Sequence, residues 1–70
     1  MKTLVLKIDK RYRIEPTSSS RWFRSYRDNV MIGLCMSLNT AIQVIFRDIQ
    51  MIDKNIEYLN KEDFKEVDDV

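Results

Sequence analysis

Between Leu38 and Leu59 the chain places seven aliphatic side chains, Leu38, Ile42, Ile45, Ile49, Ile52, Ile56 and Leu59, at alternating intervals of four and three residues. Positions three and four apart share one face of an α-helix, so this spacing draws a single apolar stripe. Gln43, Arg47, Gln50, Lys54 and Glu57 fall on the opposite side. Ser37 or Asn39 can cap the start, and neither proline nor glycine interrupts before Asn60. The spacing predicts one amphipathic helix over about 38–59, with Asn55 as an alternative, earlier stop.

The residues before this stripe follow a different period. Leu4, Leu6 and Ile8 alternate with Thr3, Val5 and Lys7, and after Asp9-Lys10 the residues Tyr12 and Ile14 alternate with Arg11, Arg13 and Glu15. A period of two is that of a half-buried strand, so the segment reads as a hairpin that Pro16 ends. Thr17-Ser18-Ser19-Ser20 is a short polar loop. Arg21 to Arg27 carries Trp22, Phe23 and Tyr26, and Val30 to Met36 is an apolar run. Both read as strands around an Asp28-Asn29 turn, the second buried, with Gly33 marking a bulge or a close approach. Beyond the stripe, Asn60 followed by Glu62 and Asp63 resembles a cap with acids in the first turn of a short helix. The expected fold is therefore α+β in one domain, residues 1–70. It has a small antiparallel sheet of three to four strands (about 3–8, 11–15, 21–27 and 30–36). One long amphipathic helix (about 38–59) and a short C-terminal helix (about 61–67) complete it, and the acidic tail 68–70 frays.

Seventy residues with one cysteine and no histidine allow neither an internal disulfide nor a structural zinc set. A chain of this size buries only about 60% of its unfolded surface, and small domains often add a partner subunit. A 22-residue helix would be about 33 Å long and would overhang a small sheet, leaving Ile49, Ile52, Ile56, Tyr58 and Leu59 to meet a second copy. The alternative is that the last residues fold back and lay Phe64 and Val67 over the overhang. The lone thiol, the early break in the N-terminal apolar run and a longest apolar run of only Val30 to Met36 lead us to expect a cytoplasmic protein outside the membrane.

The same composition argues against catalysis. Without histidine there is no imidazole base or histidine-activated nucleophile, and with one glycine there is no phosphate-cradling loop. Cys35 in an apolar run reads as a small hydrophobe. We expect no catalytic residue, no metal and no cofactor. Charge, by contrast, is lopsided: residues 1–27 carry a net +6 and residues 28–70 a net −5. The basic half contains Arg21-Trp22-Phe23-Arg24-Ser25-Tyr26-Arg27, with Lys10, Arg11 and Arg13 before it. Rings stack bases and cations neutralise phosphates, so this cluster suits single-stranded nucleic acid. Trp, Tyr and Arg also anchor protein interfaces, which suits a protein target equally. The candidate partner-binding residues are Lys10, Arg11, Arg13, Arg21, Trp22, Arg24, Tyr26 and Arg27. Two readings stay open beside this one: some of the aromatics are core, and the two charged halves neutralise each other.

Two family likenesses bear on these alternatives. The hairpin Tyr12-Arg13-Ile14-Glu15-Pro16-Thr17, the strand around Trp22 and the helix start Ser37-Leu38-Asn39-Thr40-Ala41 together resemble small uncharacterised bacteriophage and prophage accessory proteins. The likeness spans about residues 4–50 and implies a host-takeover or anti-defence factor that inhibits a host or defence macromolecule in the host cytoplasm. The chain departs from that pattern in its short third-strand hairpin and its acidic extension. Met36-Ser37-Leu38-Asn39 and Ile49-Gln50-Met51-Ile52-Asp53 are similar to the strand-to-helix junction and helix end of the single-stranded-DNA-binding transcriptional coactivators. That family has a four-stranded sheet and a helix-mediated dimer. Here the spacing differs by one residue and the family's Lys-Gly before the helix is absent, so its function does not transfer.

Overall fold

The structure is a computed structural model that describes residues 2–19 and 21–68. Five strands form one antiparallel sheet among these residues: β1 (Thr3–Leu6), β2 (Tyr12–Pro16), β3 (Phe23–Arg27), β4 (Val30–Cys35) and β5 (Phe64–Val67), in the spatial order β4-β3-β2-β1-β5. A single α-helix, α1 (Leu38–Gln50), lies across β2, β3 and β4. Alternation decides which face it covers. Leu4, Leu6, Tyr12, Ile14, Phe23, Ser25 and Cys35 point inward and are buried together with Ala41, Ile42, Ile45 and Ile49 of the helix.

Small side chains let the helix approach the sheet. Ser25 and Gly33 are cross-strand partners on β3 and β4, and the Ser25 hydroxyl donates to the Ala41 carbonyl at 2.9 Å. That bond satisfies a fully buried hydroxyl and ties the first turns of α1 to the sheet centre. Gly33 also sits at a bulge, where the register between β3 and β4 shifts by one residue. At the β3–β4 turn Asp28 takes a left-handed φ of 56°. Asp adopts this region more readily than most residues do.

Ser37 caps α1, its hydroxyl accepting the Thr40 N–H at 3.2 Å. Replacing Ser37 by alanine should cost about 1 kcal/mol, read as a lower urea midpoint with an unchanged slope.

The expected fold needs three corrections. First, the long helix over 38–59 stops at Gln50. The Met51 and Ile52 N–H groups bond three residues back, to Asp48 and Ile49, which tightens and ends the last turn. The Asp53 carboxylate then accepts the Asn55 N–H at 3.0 Å, and the Gln50 side chain holds the Ile56 carbonyl at 3.1 Å. These local bonds replace helical ones and send the chain back over the sheet in an irregular strip. Leu59 is buried and Ile56 half-buried in the same core as Leu4, Leu6 and Phe64, whereas Ile52 is exposed. Second, the short helix over 61–67 is one 3₁₀ turn, Lys61–Asp63, followed by β5. Asn60 and Asp63 do form a reciprocal cap, with bonds of 3.1 Å to the Glu62 N–H and 2.8 Å to the Asn60 N–H. It opens no longer helix, because Phe64 pairs with Leu6 and completes the free side of β1. Third, and as a result, the sheet has five strands and one α-helix in place of three to four strands and two helices.

The shortened helix has no overhang for a second copy to cover. Thirteen residues span about 20 Å, which matches the strands. The last residues do fold back, but as an edge strand. The expected fraying of 68–70 lies outside the described residues beyond Asp68, whose carboxylate meets Lys2 at 3.0 Å; Ser20 of the polar loop also lies outside them.

Candidate binding face

The side of the sheet away from α1 has no second layer among the described residues. Residues in phase with Val5 stand there: Arg13 and Glu15 on β2, Arg24 and Tyr26 on β3, Met31 and Leu34 on β4, Lys65 and Val67 on β5. Trp22 sits one residue before β3, in phase with Arg24 and Tyr26, and is exposed. Arg24 is exposed in mid-strand between Glu15 and Leu34.

Arg13 is the best-anchored cation of this face. Its Nε donates to Glu15 at 2.6 Å, its Nη1 donates to the Asp28 carbonyl, and its guanidinium lies 4.2 Å from the centre of the Tyr26 ring. Such a stack on a ring face is attractive and rigid. It also occupies one face of Tyr26, leaving Trp22 as the aromatic with the greater accessible surface.

Toward the β5 edge the face dips into a depression of about 520 Å³, lined by Val5, Leu6, Lys7, Lys10, Lys65 and Val67. Its walls are aliphatic and its rim carries three lysines. Sequence reasoning missed Lys7 and Lys65. Lys65 was hidden in the supposed C-terminal helix, and only the β1–β5 pairing, Val5 opposite Lys65, brings it beside Lys7 and Lys10.

Other predicted site residues lie elsewhere. Arg27 is on the helix side, where its Nη1 donates to both Asp48 oxygens at 2.7 and 2.6 Å and Tyr12 Oη donates to the same carboxylate at 2.6 Å. Burial alone would raise the Asp48 carboxyl, but these donors outweigh it and hold the group below the usual carboxylate range. Burial, reinforced by the bond to Asp48, pushes the Tyr12 phenol up to about 12. Arg11 is clamped by Asp9, whose carboxylate accepts from its backbone N–H, Nε and Nη2 at 2.7–3.3 Å. Arg21 lies in the exposed loop before β3. Of the residues expected at a dimer interface, Ile49 and Leu59 are in the core, Ile56 is half-buried, and Ile52 and Tyr58 are exposed. Burial pushes the Cys35 thiol up, away from the thiolate that reactivity requires.

The two charged halves neutralise each other in part, through Arg27–Asp48 and Lys2–Asp68. Among the described residues no ion pair engages Lys7, Lys10, Arg24 or Lys65. Glu66 on β5 points with Leu4 toward the other side, so the carboxylate standing on the open face is Glu15. No helix is long and apolar enough to cross a membrane among these residues. No known protein family, curated protein or solved structure matches the chain.

Proposed function

We propose that the protein is a non-enzymatic binding protein that lays single-stranded nucleic acid across the open face of its sheet. The observation that carries this reading is the gathering of Arg13, Arg24, Lys65, Tyr26 and Trp22 on one uncovered face, with Lys7 and Lys10 at its rim. An uncovered sheet offers an extended strand of nucleotides a surface of matching shape. Cations along it displace counterions from phosphates, and exposed rings accept bases of any sequence.

Trp22 fluorescence tests this directly, because it is the single tryptophan and stands on the proposed face. Titration with short single-stranded oligonucleotides should give saturable quenching that weakens steeply as salt is raised. Arg24→Glu should weaken binding by about tenfold or more and flatten the salt dependence by about one phosphate contact. Arg47→Glu, on the exposed side of α1, should leave both unchanged. Absence of quenching at low and near-physiological salt, or equal losses from the two charge reversals, would remove the nucleic-acid reading.

A second reading rests on the Arg13–Tyr26 stack and on the exposed Met31 and Leu34 beside it. Rigid arginine–aromatic pairs flanked by apolar side chains suit a protein target. The chain would then be a phage-type accessory factor that inhibits a host or defence protein in the host cytoplasm, as the likeness over residues 4–50 implies. Affinity for such a target should depend less on salt than affinity for an oligonucleotide.

A further inference from the structure

Charge on the open face is spread unevenly. Arg13 and Arg24 stand one to a strand on β2 and β3. β4, expected from the sequence to be a buried strand, is an uncharged open edge with Val30, Met31 and Leu34 exposed. At the opposite edge three lysines gather around the depression of about 520 Å³: Lys7 just beyond β1, Lys10 in the β1–β2 connection and Lys65 on β5. All three are exposed, and no ion pair among the described residues engages them. The acids next to them are committed elsewhere. Asp9 holds Arg11, the Asp63 carboxylate accepts the Asn60 N–H, and Glu66 is on the other side of the sheet.

The walls of the depression are apolar, with Val5 and Val67 half-buried there. Its volume falls within the about 300–1,000 Å³ of small-ligand sites. A bare inorganic anion would gain nothing from those valines, whereas a sugar or base beside the anion would cover them. Strand register ties the depression to the stacking ring: Tyr26 pairs with Arg13, Arg13 with Val5 and Val5 with Lys65. This row crosses four strands, about 14 Å from ring to depression. Beyond β5 the sheet stops, so a strand of nucleotides that follows the row runs out of surface here. Charge indicates which part of it arrives. An internal phosphodiester carries one negative charge, which a single cation matches, whereas a phosphomonoester carries about −1.5 to −2 at pH 7. Three lysines around one depression exceed what an internal phosphate needs.

We propose that the depression is an end-recognition subsite, which takes the terminal phosphomonoester of a single strand between Lys7, Lys10 and Lys65. The nucleotide that bears the phosphate rests on Val5 and Val67. The proposal rests on the nucleic-acid reading of the open face and adds to it a preference for one chemical kind of strand end.

Trp22 quenching by three thymidine octamers tests it: one unphosphorylated, one with a 5′-phosphate and one with a 3′-phosphate. One of the two phosphates should tighten binding by about tenfold and the other should change it by less than about twofold. Lys65→Gln and Lys7→Gln should each bring that tenfold ratio down toward one, whatever they do to the unphosphorylated octamer. Arg24→Gln should weaken all three octamers and keep the ratio. Thymidine monophosphate with its phosphate at the favoured position should compete far more weakly than the octamer that carries it. Equal gains from either end, a ratio that survives both lysine substitutions, or a mononucleotide that competes as well as the octamer would overturn the end subsite. So would equal quenching by all three octamers, although the open face would then still bind nucleic acid. Quenching by none of them would remove that reading and the subsite together.

Discussion

Replacing Gly33 by alanine should destabilise the protein by about 1–3 kcal/mol, although the change adds one methyl group at a half-buried site. A Cβ there would lie 2.9 Å from Val44 Cγ1 and 3.1 Å from Cγ2. Val44 is β-branched on a helix and holds one rotamer, so it cannot swing aside cheaply. The helix would have to lift, which strains the Ser25–Ala41 bond at the sheet centre. Urea unfolding of Gly33→Ala, Val44→Ala and the double variant checks this. The double variant should be more stable than the sum of the two losses predicts, because the second change removes the obstacle to the first. Additive losses would mean that the glycine matters for its backbone at the bulge and not for the approach of the helix.

The second large effect is expected at Asp48. Asp48→Ala should cost about 1–3 kcal/mol, because it leaves the buried Tyr12 hydroxyl without its acceptor. In a Tyr12→Phe background the same change should cost distinctly less. The pH dependence has a definite sign. Asp48 is depressed in the folded protein, so its contribution is complete above the ordinary carboxylate value near 3.8 and is lost as pH falls through the lower, folded value. The stability gap between the unaltered protein and Asp48→Asn should therefore be constant above about pH 5 and shrink below about pH 4. A gap that widens on acidification would mean that the carboxylate is not held charged by Arg27 and Tyr12.

The parts of the fold that were legible in the sequence are those whose side-chain period and packing agree. Tyr12 and Ile14 alternate and are buried, and Ala41, Ile42, Ile45 and Ile49 line the face of α1 that meets the sheet. The heptad spacing misleads after Gln50 because Ile56 and Leu59 reach the core from an irregular strip, where spacing along the chain carries no angular meaning. Asp53 and Asn55, residues that compete for backbone hydrogen bonds, were the local warning. β5 was obscured by a cap that is genuine but one turn long; Phe64 and Val67 bracket two charges, a pattern that four residues cannot assign to strand or helix. On the candidate face, Trp22, Arg24 and Tyr26 share the phase that strand alternation gives them. Arg27 could not be assigned from sequence, since its commitment to Asp48 joins residues 21 positions apart. The lysine-rimmed depression was likewise beyond reach, because it needs the pairing of the first strand with the last.

That pairing also governs how the chain can come into being. Thr3–Leu6 is an interior strand, flanked by β2 on one side and by Phe64–Val67 on the other. The four strands before α1 form a meander of short hairpins and can zip locally as soon as they exist. The closing pair, β1 against β5, instead joins Thr3 to Val67 and has the highest sequence separation of any strand pair in the sheet. Such late, non-local contacts slow folding, since the loop must close before the contact returns any energy. On the ribosome, β1 must wait with one edge unpaired until Phe64–Val67 is translated. Until Phe64–Val67 emerges, that open edge is free to mispair.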